Sequence, residues 1–87
     1  MDIQQEHDES GGKFFIAQAG KLIAELTYQK INEHSVNANH TFVSPQLRGQ
    51  GVADQLYQAF KEYVAQQGYH AEASCSYVAA KLAREKA

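Results

Sequence analysis

Cys75, His40 and the loop Arg48-Gly49-Gln50-Gly51-Val52-Ala53 are the parts of this chain whose residue types and spacing could do chemistry. Cys75 is the only cysteine among the 87 residues, and a thiolate is an intrinsically strong nucleophile. It stands just ahead of a helical pattern, where the helix dipole favours the ionised form. A lone cysteine is equally at home as a small buried hydrophobe. His40 shares one side of an alternating run with Val36, Ala38 and Phe42, the setting of a hydrogen-bonded core histidine. Imidazole titrates near neutrality, so the same residue suits a general base or a thiolate partner. His34 and His70 read as surface residues, and His7 belongs to the N-terminal segment. No pair among the four has zinc-ligand spacing with a third ligand in sight.

The loop has a different logic. A strand ends at Ser44-Pro45, two glycines turn the chain, and an amphipathic helix begins at Val52. The first N–H groups of a helix lack intrahelical acceptors and sit at the positive end of its dipole. Glycines let the main chain approach an anion with no side chain between them. The product is a phosphate cradle. The Walker pattern is excluded, because Val52-Ala53 follow Gly51 where it needs Lys-Ser or Lys-Thr. The dinucleotide fingerprint is excluded too, lacking its third glycine, its early βαβ unit and its ribose carboxylate. Plain turn chemistry is the competing explanation for the glycine pair.

These residues need a scaffold, and the hydrophobic periods supply one. Lys13–Gln18 is a short aromatic and β-branched strand, and Ala19-Gly20 a tight turn. Lys21–Tyr28 alternates with Leu22, Ala24, Leu26 and Tyr28 on one face. A polar connection from Gln29 to His34 leads to a third strand, Ser35–Val43. Val52, Leu56, Phe60 and Val64 then mark a helix through Gln67, with Gly68 as its stop. Tyr69–Ala73 is a short strand and Tyr77–Lys86 a last helix. The order β-β-β-α-β-α predicts one small α+β domain over 13–87, a mostly antiparallel sheet with helices packed on it. Residues 1–12, polar and without apolar period, read as a flexible acidic tail.

Composition narrows the function classes. No apolar run approaches the roughly 20 residues that span a bilayer, and the acidic N-terminus is unlike a signal peptide. A single cysteine permits no internal disulfide and no cysteine zinc cluster, which suits a cytoplasmic, reducing compartment. Net charge is −2, but Asp2, Glu6, Asp8 and Glu9 crowd the first ten positions. The rest of the chain is mildly basic, enough for a small anionic ligand and too sparse for nucleic acid.

The loop Arg48–Ala53 resembles the Q/R-x-x-G-x-G/A signature of the GNAT acetyltransferases, with Ala53 in the last position. His40-Thr41 before it and Cys75-Ser76-Tyr77 after it look like the small YjdJ-type members of that superfamily. The resemblance implies that backbone amides of Arg48, Gly49, Gln50, Gly51, Val52 and Ala53 hold the pyrophosphate of acetyl-coenzyme A. It implies that Thr41, Phe42 and Val43 run beside the pantetheine arm, in a cleft where the third strand splays from the later one. It places Cys75 near the thioester as a candidate catalytic residue, with His40 as its partner or as the base for an amine acceptor. Tyr77 corresponds loosely to a tyrosine that protonates the leaving thiolate in larger relatives, and packing is its simpler role. The expected activity is N-acetyl transfer to an unidentified amine, by direct attack or through acetyl-Cys75, with no metal. The expected state is a monomer or weak homodimer. A non-catalytic acyl-coenzyme A sensor is the alternative; a purely structural domain would leave the cleft without a ligand.

Overall fold

The computed structural model describes residues 2–86, which form five strands and two helices. β1 (Gln4–Asp8), β2 (Gly11–Gln18), β3 (Lys21–Asn32) and β4 (Ser35–Val43) are successive antiparallel neighbours. After β4 the chain makes a short 3-10 turn at Pro45–Leu47 and enters α1 (Val52–Gln67). It returns as β5 (His70–Ala73), parallel to β4, and ends in α2 (Ser76–Lys86).

Apolar alternation decides which way the sheet faces. Phe14 and Ile16 of β2, Leu26 and Tyr28 of β3, and Val36 and Ala38 of β4 are buried on one side. There they meet Leu56, Phe60 and Val64 of α1 and Val78 and Leu82 of α2 in a single core. Both helices therefore lie on the same face. They are tied together by Lys81 to Asp54, by Lys61 to Glu85 at 3.4 Å, and by the Tyr57 hydroxyl donating to Glu85. Among the described residues no helix covers the other face. The β2–β3 turn has left-handed backbone at Ala19 (φ 51°) and Gly20 (φ 78°), the geometry whose twist matches a two-residue hairpin.

Two expectations are corrected. The segment expected as a flexible tail over 1–12 contains β1 and the first residues of β2, so the order is β-β-β-β-α-β-α. All five β1 residues are exposed, so burial imposed no apolar period on them. The strand is held by its backbone ladder to β2, by Gln5 Nε2 donating to the Tyr28 hydroxyl at 2.9 Å, and by Asp8, which accepts from Ser10 and Gly11 in the following turn. Its charges also suit an edge strand, which must resist pairing with other chains. The polar connection expected over Gln29–His34 is mostly strand as well: β3 runs on to Asn32, and its last four residues are exposed.

The third difference moves a candidate residue. The β3–β4 register steps from Thr27↔His40 to Tyr28↔Ala38, leaving Asn39 as an extra residue. Such a bulge resets the alternation of everything beyond it. Val36 and Ala38 face the helices as expected, but His40 and Phe42 face the uncovered side. Thr41 and Val43 take the inner side instead.

Candidate functional site

The sheet forks at the bulge. β4 and β5 pair only from Ser35↔His70 to Ala38↔Ala73. The chain then turns away: the N–H groups of Ser74 and Cys75 both donate to the Ala38 carbonyl, at 3.0 and 3.1 Å. From Asn39 to Val43 the outer edge of β4 has no strand beside it among the described residues. That stretch is a template of main-chain donors and acceptors for an extended ligand.

The free edge leads straight to the glycine loop. Gly49 (φ 83°) and Gly51 (φ 74°) adopt left-handed backbone, and Gly51 occupies the N-cap of α1 without a side-chain cap. The N–H groups of Arg48 and Gln50 are used inside the loop, donating to Pro45 and Leu47 carbonyls at 3.3 Å. Those of Gly49, Gly51, Val52, Ala53 and Asp54 have no acceptor among the described residues. They border a hollow of about 250 Å³ that reaches from Val43 and Leu47 to Tyr77 of α2. An array of unused N–H groups at a helix start can receive an anion. Gln50 stays out of this hollow; its side chain donates to the Gln46 carbonyl at 3.2 Å. Larger hollows lie away from the loop: those of about 430 and 410 Å³ around Gly11 and Tyr28, and one of about 370 Å³ between β5 and Ala79, Leu82 and Ala83 of α2.

Cys75 stands at the fork as the residue preceding α2, its carbonyl accepting from Ala79 at 2.9 Å. Its Sγ is 3.4 Å from the Thr41 hydroxyl. Burial pushes the thiol pKa up, but the Thr41 hydroxyl and the N–H groups of Val78 and Tyr77 more than offset this, so it lies below the ordinary value. The thiol is half-buried and packs against the core. His40 is not its partner. One position before Thr41, His40 points to the uncovered face, where its Nε2 lies 3.6 Å from Glu25 Oε2.

Of the other anticipated residues, Thr41 and Val43 line the inner side of the free edge, and Phe42 is 38% exposed on the outer side. Three further residues border the loop hollow: Leu47, Asp54 and Tyr77. Asp54 sits in the first turn of α1, where a carboxylate favours the helix but opposes an incoming anion. Lys81 neutralises it, with Nζ 2.5 Å from Asp54 Oδ1 and 5.8 Å from the Tyr77 ring centroid. This pair joins residues 27 apart in sequence and leaves no local signal. Tyr77 is 36% exposed, so packing accounts for only part of its surface.

Comparison with known proteins agrees with this fold. Protein NATD1 of Xenopus tropicalis is 30% identical over 77 residues, covering 87% of this chain and 71% of its own length. The solution structure of a GCN5-like protein from Staphylococcus aureus superposes with a TM-score of 0.73 at 32% identity, over 95% of this chain and 80% of that one. A GNAT family acetyltransferase from Elizabethkingia anophelis, solved with acetyl-CoA bound, shares the fold at a TM-score of 0.67 and 14% identity, over 88% of this chain and 53% of that one. The sequence model of the GCN5-related N-acetyl-transferase family matches residues 13–87, the free edge, the loop and Cys75 included, and the chain belongs to that family.

Proposed function

We propose that this protein is an acetyl-coenzyme A-dependent N-acetyltransferase that seats the pyrophosphate on the N–H groups of Gly49, Gly51, Val52, Ala53 and Asp54. The observation that carries the reading is the continuity of two unsatisfied main-chain features. The open edge of β4 from Asn39 to Val43 runs into the unpaired N–H groups of the loop. One extended ligand with amides at one end and a diphosphate at the other satisfies both. Arg48, exposed beside the hollow, adds positive charge at the phosphates.

With the pyrophosphate there, the thioester lies toward the fork, beside Thr41 and Cys75. In direct transfer the neutral amine attacks the acetyl carbonyl carbon, the carbon–sulfur bond breaks, and the coenzyme A thiolate leaves. His40, on the uncovered face, takes the proton that the acceptor ammonium must lose. The Thr41 hydroxyl 3.4 Å from Sγ and the lowering of the thiol pKa it brings support a second route, in which Cys75 takes the acetyl group by thioester exchange and hands it to the amine.

A titration with acetyl-coenzyme A followed by amide resonances and intact mass tests the reading. Shifts at 41–43 and 49–54 are expected, with turnover once an amine is supplied. Absence of shifts at millimolar ligand sinks it. Shifts with no acetylation of any amine make the protein a sensor. Retention of full amine acetylation by Cys75→Ala rules out the covalent route.

A further inference from the structure

The acceptor's chemistry can be read from the face of the sheet that no helix covers. On that face β2, β3 and β4 place Phe15, Glu25 and Phe42 directly opposite one another in a row. Facing cross-strand side chains lie about 5 Å apart, so the Glu25 carboxylate is flanked by two aromatic rings. Its side chain is only 19% exposed, whereas Phe42 is 38% exposed. Among the described residues no N–H or O–H donates to it, and the one basic side chain within 4 Å is His40, with Nε2 at 3.6 Å and 57% exposed. Lys13, on the same face, has its Nζ 3.9 Å from Glu6 and 5.0 Å from the Phe15 ring centroid, so it borders the Phe15 end of the row and makes no ion pair with Glu25. Glu25 is thus a partly desolvated carboxylate without a hydrogen-bond donor, set between rings whose faces attract cations. His40 belongs both to this patch and to the free edge of β4, next to the fork.

We propose that Phe15, Glu25, His40 and Phe42 form the acceptor subsite and that it takes a primary alkylammonium group on an apolar stem. This rests on the transferase reading above. The ammonium charge meets Glu25, the methylenes lie along Phe15 and Phe42, and His40 takes the departing proton as the nitrogen turns toward the thioester. An anionic acceptor is repelled by Glu25, and the one lysine on that face, Lys13, is already shared between Glu6 and the Phe15 ring; a neutral acceptor leaves Glu25 as desolvated as before. The alkylammonium can come from a free amine or from a lysine side chain.

The test titrates ¹⁵N-labelled protein, with and without coenzyme A, against 1,4-diaminobutane and a blocked lysine (Nα-acetyl-lysine methylamide), with 1-butanol and succinate as controls. Both cations should shift Phe15, Glu25, His40 and Phe42 amides saturably, and the tighter one identifies the source. The controls should not shift them. Glu25→Gln should weaken cation binding on the order of tenfold, as expected for losing one charge-assisted contact, and raise the amine KM, while melting temperature and coenzyme A affinity stay put. Equal shifts with butanol, shifts centred elsewhere, or an unaltered Glu25→Gln affinity overturn the proposal. Cation shifts without any response of the loop to coenzyme A uphold this site and remove the transferase reading instead.

Discussion

Gly51 is the position where the proposed pyrophosphate cradle can be separated from the fold. Its backbone is left-handed (φ 74°, ψ 18°), and a Cβ built on it meets nothing within 4 Å. Gly20, at the tip of the β2–β3 hairpin, has the same two properties (φ 78°, open space) but borders no candidate site. Replacement by alanine at either position therefore costs backbone strain alone, about 1 kcal/mol. For a domain of this size that lowers Tm by roughly 4–8 °C. Valine is worse at both sites, since β-branched residues resist positive φ. The two sites part on ligand binding. A Cβ at Gly51 projects from the loop that would carry the pyrophosphate, and relaxing its φ turns the neighbouring N–H groups away. Each charge-assisted hydrogen bond lost contributes about 1.5–3 kcal/mol, so Gly51→Val should weaken coenzyme A at least about tenfold. Calorimetric titration beside thermal melts resolves the two effects. Matched Tm losses with coenzyme A affinity lowered only for Gly51→Val is the expected pattern. Wild-type affinity in Gly51→Val, or an equal loss in Gly20→Val, refutes the reasoning.

Three further outcomes follow from contacts already described. Lys81→Met leaves the Asp54 carboxylate unneutralised beside the loop hollow, so coenzyme A affinity should fall several-fold; Asp54→Asn in the same chain should restore it, and pantetheine, which has no phosphates, should be indifferent to both. Iodoacetamide should label Cys75 with a pH midpoint below that of the urea-denatured chain, and Thr41→Val should move it upward. A folded-state pKa below the unfolded one means the thiolate adds stability above the unfolded value, and this increment is lost as pH falls through the folded value. Deleting residues 1–9 exposes the β2 edge and removes the Gln5–Tyr28 hydrogen bond, so Tm should drop and sedimentation should detect self-association; an unchanged monomer with unchanged Tm would count against β1 as a structural strand.

Elements that bury one face were legible in the sequence, and elements without a buried face were not. α1 was readable to the residue because Val52, Leu56, Phe60 and Val64 must meet the sheet while Gly68 must turn left-handed to stop it. β1 and the distal part of β3 are exposed along their whole length, and only the hydrogen-bond ladder of a neighbour reveals them. The backbone of the glycine loop was legible because its requirement is local: positive φ and a helix start. Which of its N–H groups are spent inside the loop depends on the Pro45–Leu47 turn, and the sequence pattern does not show that the Gln50 N–H is used by the Leu47 carbonyl. The Asp54–Lys81 pair joins two helices, so no local window contains it.

The single extra residue at Asn39 carries the largest functional consequence. Strict alternation through β4 would place His40 among Val36 and Ala38, on the side where Cys75 packs, and a thiol–imidazole pair would be the natural reading. The bulge puts Thr41 at that position and turns His40 through the sheet to Glu25. A hydroxyl next to a thiol can donate to the thiolate but is far too weak a base to draw its proton at neutral pH, so ionisation of Cys75 depends on Thr41 and the amides that open α2. The imidazole, freed from that task, faces the uncovered side with the Glu25 carboxylate beside it. On the transferase reading, one bulge therefore divides the chemistry between two faces of β4: the thioester on the helix side with Cys75, the amine on the open side with His40. On that reading the two substrates would meet at the fork beside Ala38, where β5 leaves the sheet.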